Sequence, residues 1–268
     1  MKTSTPVRLG LRSIALLYLF GLLFVPVLMI FYRAFEHGIG TFFGWISTPA
    51  AISALNLSLL IVAIVVPINV VFGVVAALAL VRGRFRGRGV LQAMVDLPFA
   101  VSPIIVGVSL ILLWGVHGWF GGIESLGFKV IFGLPGMVLA TIFVTLPFVV
   151  REVEPVLHEI GDEQEQAAAT LGATKWQTFW LVTLPAIRWG LTYGVVLTIA
   201  RALGEFGAVI MVSSGFPGVS QTLTLLVHAR YIDDHNTFGA YCAAVLLMGI
   251  ALVALLLMTL LDRKRSTT

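Results

Sequence analysis

Charge is what this sequence most lacks. Asp, Glu, Lys and Arg together make up 11% of its 268 residues, while 59% are hydrophobic. Water-soluble domains carry about 25% charged residues, so the shortage excludes an ordinary soluble domain and points to a chain solvated by lipid. Cysteine is almost absent too. Cys242, inside an apolar run, stands alone, which excludes intrachain disulfides and multi-cysteine metal sites; its thiol is expected to be a buried small apolar group. No Gly-Lys dipeptide occurs, so there is no G-x-x-x-x-G-K-[ST] phosphate loop. The chain cannot hydrolyse ATP by that mechanism, and a partner must supply any ATP-driven work. His158-Glu159 opens an H-E-x-x-H metalloprotease pattern, but Asp162 stands where the second histidine is needed. These absences exclude an enzyme reading.

What is abundant is long apolar runs. Crossing about 30 Å of hydrocarbon takes about 20 apolar residues, and six stretches qualify, near 12–34, 54–81, 90–116, 134–152, 187–212 and 238–261. The first follows Lys2, Arg8 and Arg12 and is too long for a secretory h-region, with no A-x-A site after it; it is expected to be a retained helix, peripheral to a five-helix core. Six spans put both termini on one side. Thirteen of the seventeen Lys and Arg fall on that side, including Arg82, Arg84, Arg86 and Arg88 between the second and third spans. By the positive-inside rule it is cytoplasmic. The Arg82–Arg88 cluster reads as a topology determinant in contact with lipid headgroups. The expected fold is an all-α membrane protein with six transmembrane helices, both termini cytoplasmic, forming a single domain over 1–268 with its core at about 54–261.

One cytoplasmic loop, between the fourth and fifth spans, is written differently. EQAAATLGATKWQTFWLVTLP runs from Glu165 to Pro185. Glu163 to Thr170 is rich in strong helix formers, and Gly172 suits a left-handed helix end. Lys175 to Val182 predicts a second short helix with Trp176 and Trp180 one turn apart, and Pro185 suits the connection into the fifth span. The spacing predicts a helix-turn-helix knuckle over about 163–185. It either lies in the membrane interface as an amphipathic segment or docks another protein through its small alanines.

The segment resembles the E-A-A-x3-G-x9-I-x-L-P loop of ABC importer permeases. Here it reads Gln166-Ala167-Ala168, three residues, Gly172, nine residues, then Val182-Thr183-Leu184-Pro185. The spacing holds throughout; Gln166 replaces the usual Glu, which removes one charge-assisted hydrogen bond. RFRGRGVLQAMVDLPFAVSP (Arg84 to Pro103), RALGEFGAVIMVSSG (Arg201 to Gly215) and WQTFWLVTLPAIRWGLTYGVVLT (Trp176 to Thr198) are similar to the W-type permease subunits of sulfate/thiosulfate importers, over roughly residues 40–260. The resemblance implies the type I ABC importer permease fold in a bacterial cytoplasmic (inner) membrane. It also implies a T-type permease partner in a heterodimer, two ABC ATPase subunits and an extracytoplasmic sulfate-binding protein. Gln166, Ala167, Ala168, Gly172, Leu184 and Pro185 would seat in a groove of the ATPase. No cofactor is expected on this chain, since ATP-Mg belongs to the ATPase, and no nucleic acid partner.

Two places are candidates for the translocation route. Arg201 and Glu205 lie within the fifth apolar run, where a charge costs about 2.5–3.5 kcal/mol and normally faces a cavity or a partner. An Arg-to-Glu i,i+4 pair recovers only about 0.2–0.5 kcal/mol. The pair either lines or gates the route or locks two helices. In the third run Pro98, Ser102 and Pro103 bracket a break whose freed amides and hydroxyl would face a passing oxyanion, if it lines a cavity. Asp96, just before it, is expected to cap the helix or pair with an Arg of the 82–88 cluster. Two rivals stand beside the sulfate reading: a homodimeric molybdate/tungstate ABC permease, and an ATPase-independent anion channel or carrier.

Overall fold

The computed structural model describes residues 5–122, 127 and 129–265, so Lys2 of the basic N-terminus lies outside the described residues. Among the described residues every regular element is a helix. α1 (Thr5–Leu19) passes through a π turn, Phe20–Phe24, into α2 (Val25–Phe35). The stretch Arg12–Phe35 is strongly apolar between Arg12 and Arg33, and its most apolar 18 residues are unburied. Only its far end is anchored: Ala34 packs with Phe42, Cys242 and Val245. The first span is therefore peripheral, and Cys242 is a buried apolar group, as expected.

α3 (Ile39–Ile46) leads to α4 (Pro49–Arg82), capped by Thr48 and started by Pro49. Its 34 residues at about 1.5 Å each exceed the hydrocarbon thickness, so both ends reach beyond it. α7 (Leu134–Ile160) likewise runs eight residues past its expected end at 152. α4, α7 and α10 (Leu184–Leu203) form the centre of the bundle, and glycines set how closely they approach. A Cβ on Gly73 would lie 2.6 Å from Val149 Cβ, and one on Gly190 would lie 2.6 Å from the Glu152 carbonyl. Small residues at such crossings let backbones meet where lipid offers no hydrophobic drive. Asn69 of α4 adds a buried side-chain bond, Nδ2 donating to Thr145 Oγ1 at 2.6 Å.

The third apolar run is not one straight helix. α5 (Arg88–Ala100) and α6 (Pro103–Trp114) meet at a 113° bend. At about 1.5 Å per residue neither reaches 30 Å alone. Among the described residues five helices are long and apolar enough to span, or six with the bent pair counted once. The break falls at Val101 and Ser102, with Pro98 inside α5 and Pro103 starting α6. Asp96 does not pair with the 82–88 cluster. Its Oδ1 lies 2.6 Å from Arg151 Nη2 of α7, and Gln92 donates to its other oxygen, because the bend lays α5 along α7.

The fifth run also departs from expectation at both ends. Its helix begins at Lys175 and ends at Leu203. After the break at 204–206 it resumes as α11 (Gly207–Val212), followed by α12 (Leu223–His228), a π turn Ala229–Asp233 and α13 (Thr237–Arg265).

Candidate functional site

The knuckle lies at the end of the bundle where α4 and α7 finish. Its first helix, α8 (Glu163–Thr170), carries Glu163 and Glu165 in its first turn, where carboxylates favour the positive helix end. It closes as a Schellman motif. Gly172 N–H donates to the Ala169 carbonyl and Ala173 N–H to the Ala168 carbonyl, both at 3.0 Å, with Gly172 at φ +85°. That geometry needs a residue tolerant of the left-handed region, and glycine supplies it. Two residues later a capping box opens α9 (Lys175–Thr178): Gln177 N–H donates to Thr174 Oγ1 and Thr174 N–H to Gln177 Oε1.

α9 is not a free-standing second helix. It runs through a π turn, Phe179–Thr183, straight into α10. Pro185 occupies the first turn of α10; a proline ring clashes with the carbonyl four residues back, here Leu181, and the widened turn accommodates it. The same arrangement precedes Pro26. Trp176, Phe179 and Trp180 form one aromatic cluster, with the two tryptophan centroids 5.5 Å apart.

Gln166, Ala167 and Pro185 are exposed, while Ala168 and Leu184 are half-buried. The most exposed large apolar groups of the knuckle are ones the motif does not name: Leu171 is 89% exposed, Leu181 75% and Trp176 70%. Glu165, one place before the motif, bridges two elements. Arg82 Nε donates to its Oε2 at 3.0 Å, and Thr183 Oγ1 donates to its Oε1 at 2.9 Å. The signals that could have found these residues are a lone leucine before Gly172 and a second carboxylate beside Gln166.

The second constellation sits at the break in the fifth run. Arg201 occupies the last turn of α10, while Glu205 stands in the break itself, so they do not share one helix as expected. Arg201 Nη1 lies 2.7 Å from Glu205 Oε2, an ion pair in contact rather than an aligned hydrogen bond. Glu205 is 2% exposed and its Oε1 accepts from Ala208 N–H at 2.8 Å, satisfying the start of α11. Thr224 Oγ1 donates to the Glu205 carbonyl at 2.8 Å, tying α12 to the same point. One carboxylate oxygen thus holds the interrupted backbone together inside the bundle, while the other meets only the Arg201 guanidinium.

The two candidate places are neighbours. A Cβ on Gly207 would lie 3.0 Å from Pro103 Cβ, and one on Gly107 would lie 2.8 Å from the Ala208 carbonyl. The break at Ser102-Pro103 therefore faces the break at Glu205, with Ser102 exposed and capping nothing through its side chain. Non-helical backbone at membrane depth survives only when protein or a polar cavity covers it. Among the described residues no group of three or more His, Cys, Asp or Glu could hold a metal ion.

Apolar helices, interrupted backbone at depth and a polar knuckle at one end define a multi-pass membrane transport subunit. The chain belongs to the family described as the binding-protein-dependent transport system inner membrane component, whose model matches residues 69–267. It is 48% identical over 259 residues to the sulfate transport system permease protein CysW of Synechocystis, covering 96% of this chain and 94% of that one. It is 33% identical to the CysT permease protein of the same organism, covering 93% and 87%. A bacterial alginate ABC transporter, solved in complex with an alginate-bound periplasmic protein, has a chain that superposes with a TM-score of 0.80 at 16% identity, covering 98% and 96%. The fold is that of type I ABC importer permeases. The chain is a transport subunit and not an enzyme.

Proposed function

We propose that this chain is the W-type permease subunit of an ATP-driven importer of sulfate or thiosulfate. The observation that carries this reading is near full-length likeness to a sulfate permease at 48% identity. Likeness to a CysT chain at lower identity supports a related but different second permease subunit in a heterodimer. Two ATPase subunits and an extracytoplasmic binding protein complete the assembly, and the thirteen-charge side, with both termini, faces the cytoplasm.

In this reading the knuckle over about 163–185 seats in the ATPase. Gln166, Ala167, Ala168 and Gly172 set its contact surface, while Leu184 and Pro185 set its junction with α10. Closure of the ATPase pair turns α7 and α10, and the cavity between the two permeases opens outward. Arg201, Glu205, Ser102 and Pro103 form part of the pathway wall. Because Glu205 neutralises Arg201, the wall holds an anion weakly, and selectivity rests with the binding protein.

The test is ATP-dependent uptake of labelled sulfate into vesicles holding this chain with T-type permease, ATPase and binding protein. Uptake lost without this chain, and blocked by thiosulfate but not by equimolar molybdate, is the expected result. Molybdate uptake with this chain as sole permease would overturn it.

Gly172→Val probes the knuckle in the same assay. A Cβ there meets nothing within 4 Å, so the effect is purely backbone, about 1–2 kcal/mol for forcing an L-residue into the left-handed region. Uptake is expected to fall while ATPase and permease still copurify, and Gly172→Asn, which tolerates that region, is expected to retain more. Full uptake by the valine variant would refute the geometry.

A further inference from the structure

We propose that Arg82 is the positioning residue that makes α4 follow the knuckle. The idea rests on the coupling role given to the knuckle above. Chain connectivity joins the knuckle only to α7 and α10. Beside Leu78 of α4 lies a cavity of about 290 Å³, lined also by Glu165, Phe179 and Thr183. The apolar packing that joins α4 to this end of the bundle runs through α7, Phe179 and the root of α10, so a direct tie between α4 and α8 adds a path that does not pass through them.

Arg82, the last residue of α4, makes that tie. Nε donates to Glu165 Oε2 of α8 at 3.0 Å, Nη1 to the Leu157 carbonyl of α7 at 3.2 Å, and Nη2 to the Gly161 carbonyl. The last four carbonyls of a helix have no partner within it; Arg82 takes up the one at Leu157. Glu165 passes the link on, its other oxygen accepting from the buried Thr183 hydroxyl at the root of α10. One guanidinium and one carboxylate thus join the ends of four helical elements.

This separates Arg82 from its neighbours. Arg84, Arg86 and Arg88 are exposed, and among the described residues they form no ion pair. The Arg82 and Glu165 side chains are 23% and 22% exposed, and a pair this far out of water is screened less than a surface one. A planar fork with several donors in fixed directions can hold carboxylate and carbonyls together; an ammonium cannot reproduce that geometry.

The experiment uses the reconstituted complex with its ATPase and binding protein. It compares wild type with Arg82→Ala, Arg82→Lys, Glu165→Gln and the Arg82→Ala/Glu165→Gln double variant. The readouts are copurification of the ATPase, ATP hydrolysis without binding protein, and its stimulation by sulfate-loaded binding protein. Arg82→Ala is expected to keep assembly and unstimulated hydrolysis and to lower stimulation at least about fivefold, with Arg82→Lys in between. The double variant is expected to be no worse than the weaker single one, because the two residues act through each other. If Arg82→Ala fails to assemble, Glu165→Gln carries the test, since it leaves the Leu157 and Gly161 carbonyls held.

Stimulation equal to wild type in both Arg82→Ala and Glu165→Gln overturns the proposal, as does strict additivity in the double. A wild-type complex that assembles but takes up no sulfate overturns the sulfate reading instead, and stimulation by whichever loaded binding protein it accepts then tests the latch.

Discussion

Leu171→Asp is expected, on the docking proposed above, to weaken binding of the permease to an ATPase subunit by at least about 30-fold, the equivalent of about 2 kcal/mol. Leu171 ends α8 at the tip of the knuckle and is 89% exposed, with Trp176 and Leu181 nearby in sequence at 70% and 75%. A single exposed leucine needs no explanation. Here the Schellman turn at Gly172 holds it rigidly at the apex, so it is ordered for contact before any partner arrives, and preorganisation lowers the cost of association. Aspartate would lose the apolar contact and place an unpaired carboxylate in the desolvated seam, where it finds no compensating donor. Binding of detergent- or nanodisc-held permease to purified ATPase measures this directly. Leu171→Met should bind like wild type, and an aspartate variant that does so too would move the docking surface elsewhere on the knuckle.

Glu205→Leu is expected to destabilise the fold by about 2–4 kcal/mol. Two losses combine. The Ala208 N–H, which the carboxylate caps at 2.8 Å, becomes a buried donor without an acceptor, at about 1–3 kcal/mol. Arg201 loses the carboxylate 2.7 Å from its guanidinium. Breaking a fully buried pair costs about 3–5 kcal/mol, but the Arg201 side chain is 34% exposed and recovers part of its solvation. Glu205→Gln keeps the acceptor on Ala208 and should fall between leucine and wild type. The apparent melting temperature of the solubilised complex is expected to drop by about 5–10 °C for the leucine variant. A leucine variant as stable as wild type would show that the break at 204–206 is held by Thr224 and the contact with α6 alone.

The bundle was legible in the sequence to the extent that lipid imposes length. Runs of about 20 apolar residues have few alternatives, and three of the expected six are helices near their expected limits, while a fourth starts as expected and overruns its end by eight residues. Breaks were legible only where chemistry announces them. Pro98 and Pro103 mark the break in the third run, but its 113° angle, with α6 closely approaching α11, is a tertiary quantity that spacing alone does not give. The break in the fifth run was hidden, because Gly204-Glu205-Phe206 reads as one charge in an apolar stretch. Glu205 looked like half of an i,i+4 helical pair, whereas it accepts from a backbone amide three residues on.

The knuckle's two helical pieces and its left-handed glycine followed from composition and spacing. Its attachment did not. Asp96 finds Arg151 and Glu165 finds Arg82 across 55 and 83 residues of sequence, pairings that only the folded bundle brings within reach.

The π turn at Phe179–Thr183 gives one helical rod a tolerant point. A π turn holds one residue more than the α turn it replaces, whereas each residue of an α-helix advances the side chains by about 100°. The face that carries Trp176 and Trp180 toward solvent and the face that buries Ile187 and Gly190 against α7 belong to that one continuous rod. Losing the extra residue of the turn would restore an α turn and leave the two faces nearly in phase, while a residue lost from α9 or α10 would swing them about 100° apart, so that a correctly packed α10 would present the wrong side of its own extension to any partner. A change of length is absorbed inside the turn and acts as a rotation on either side of it.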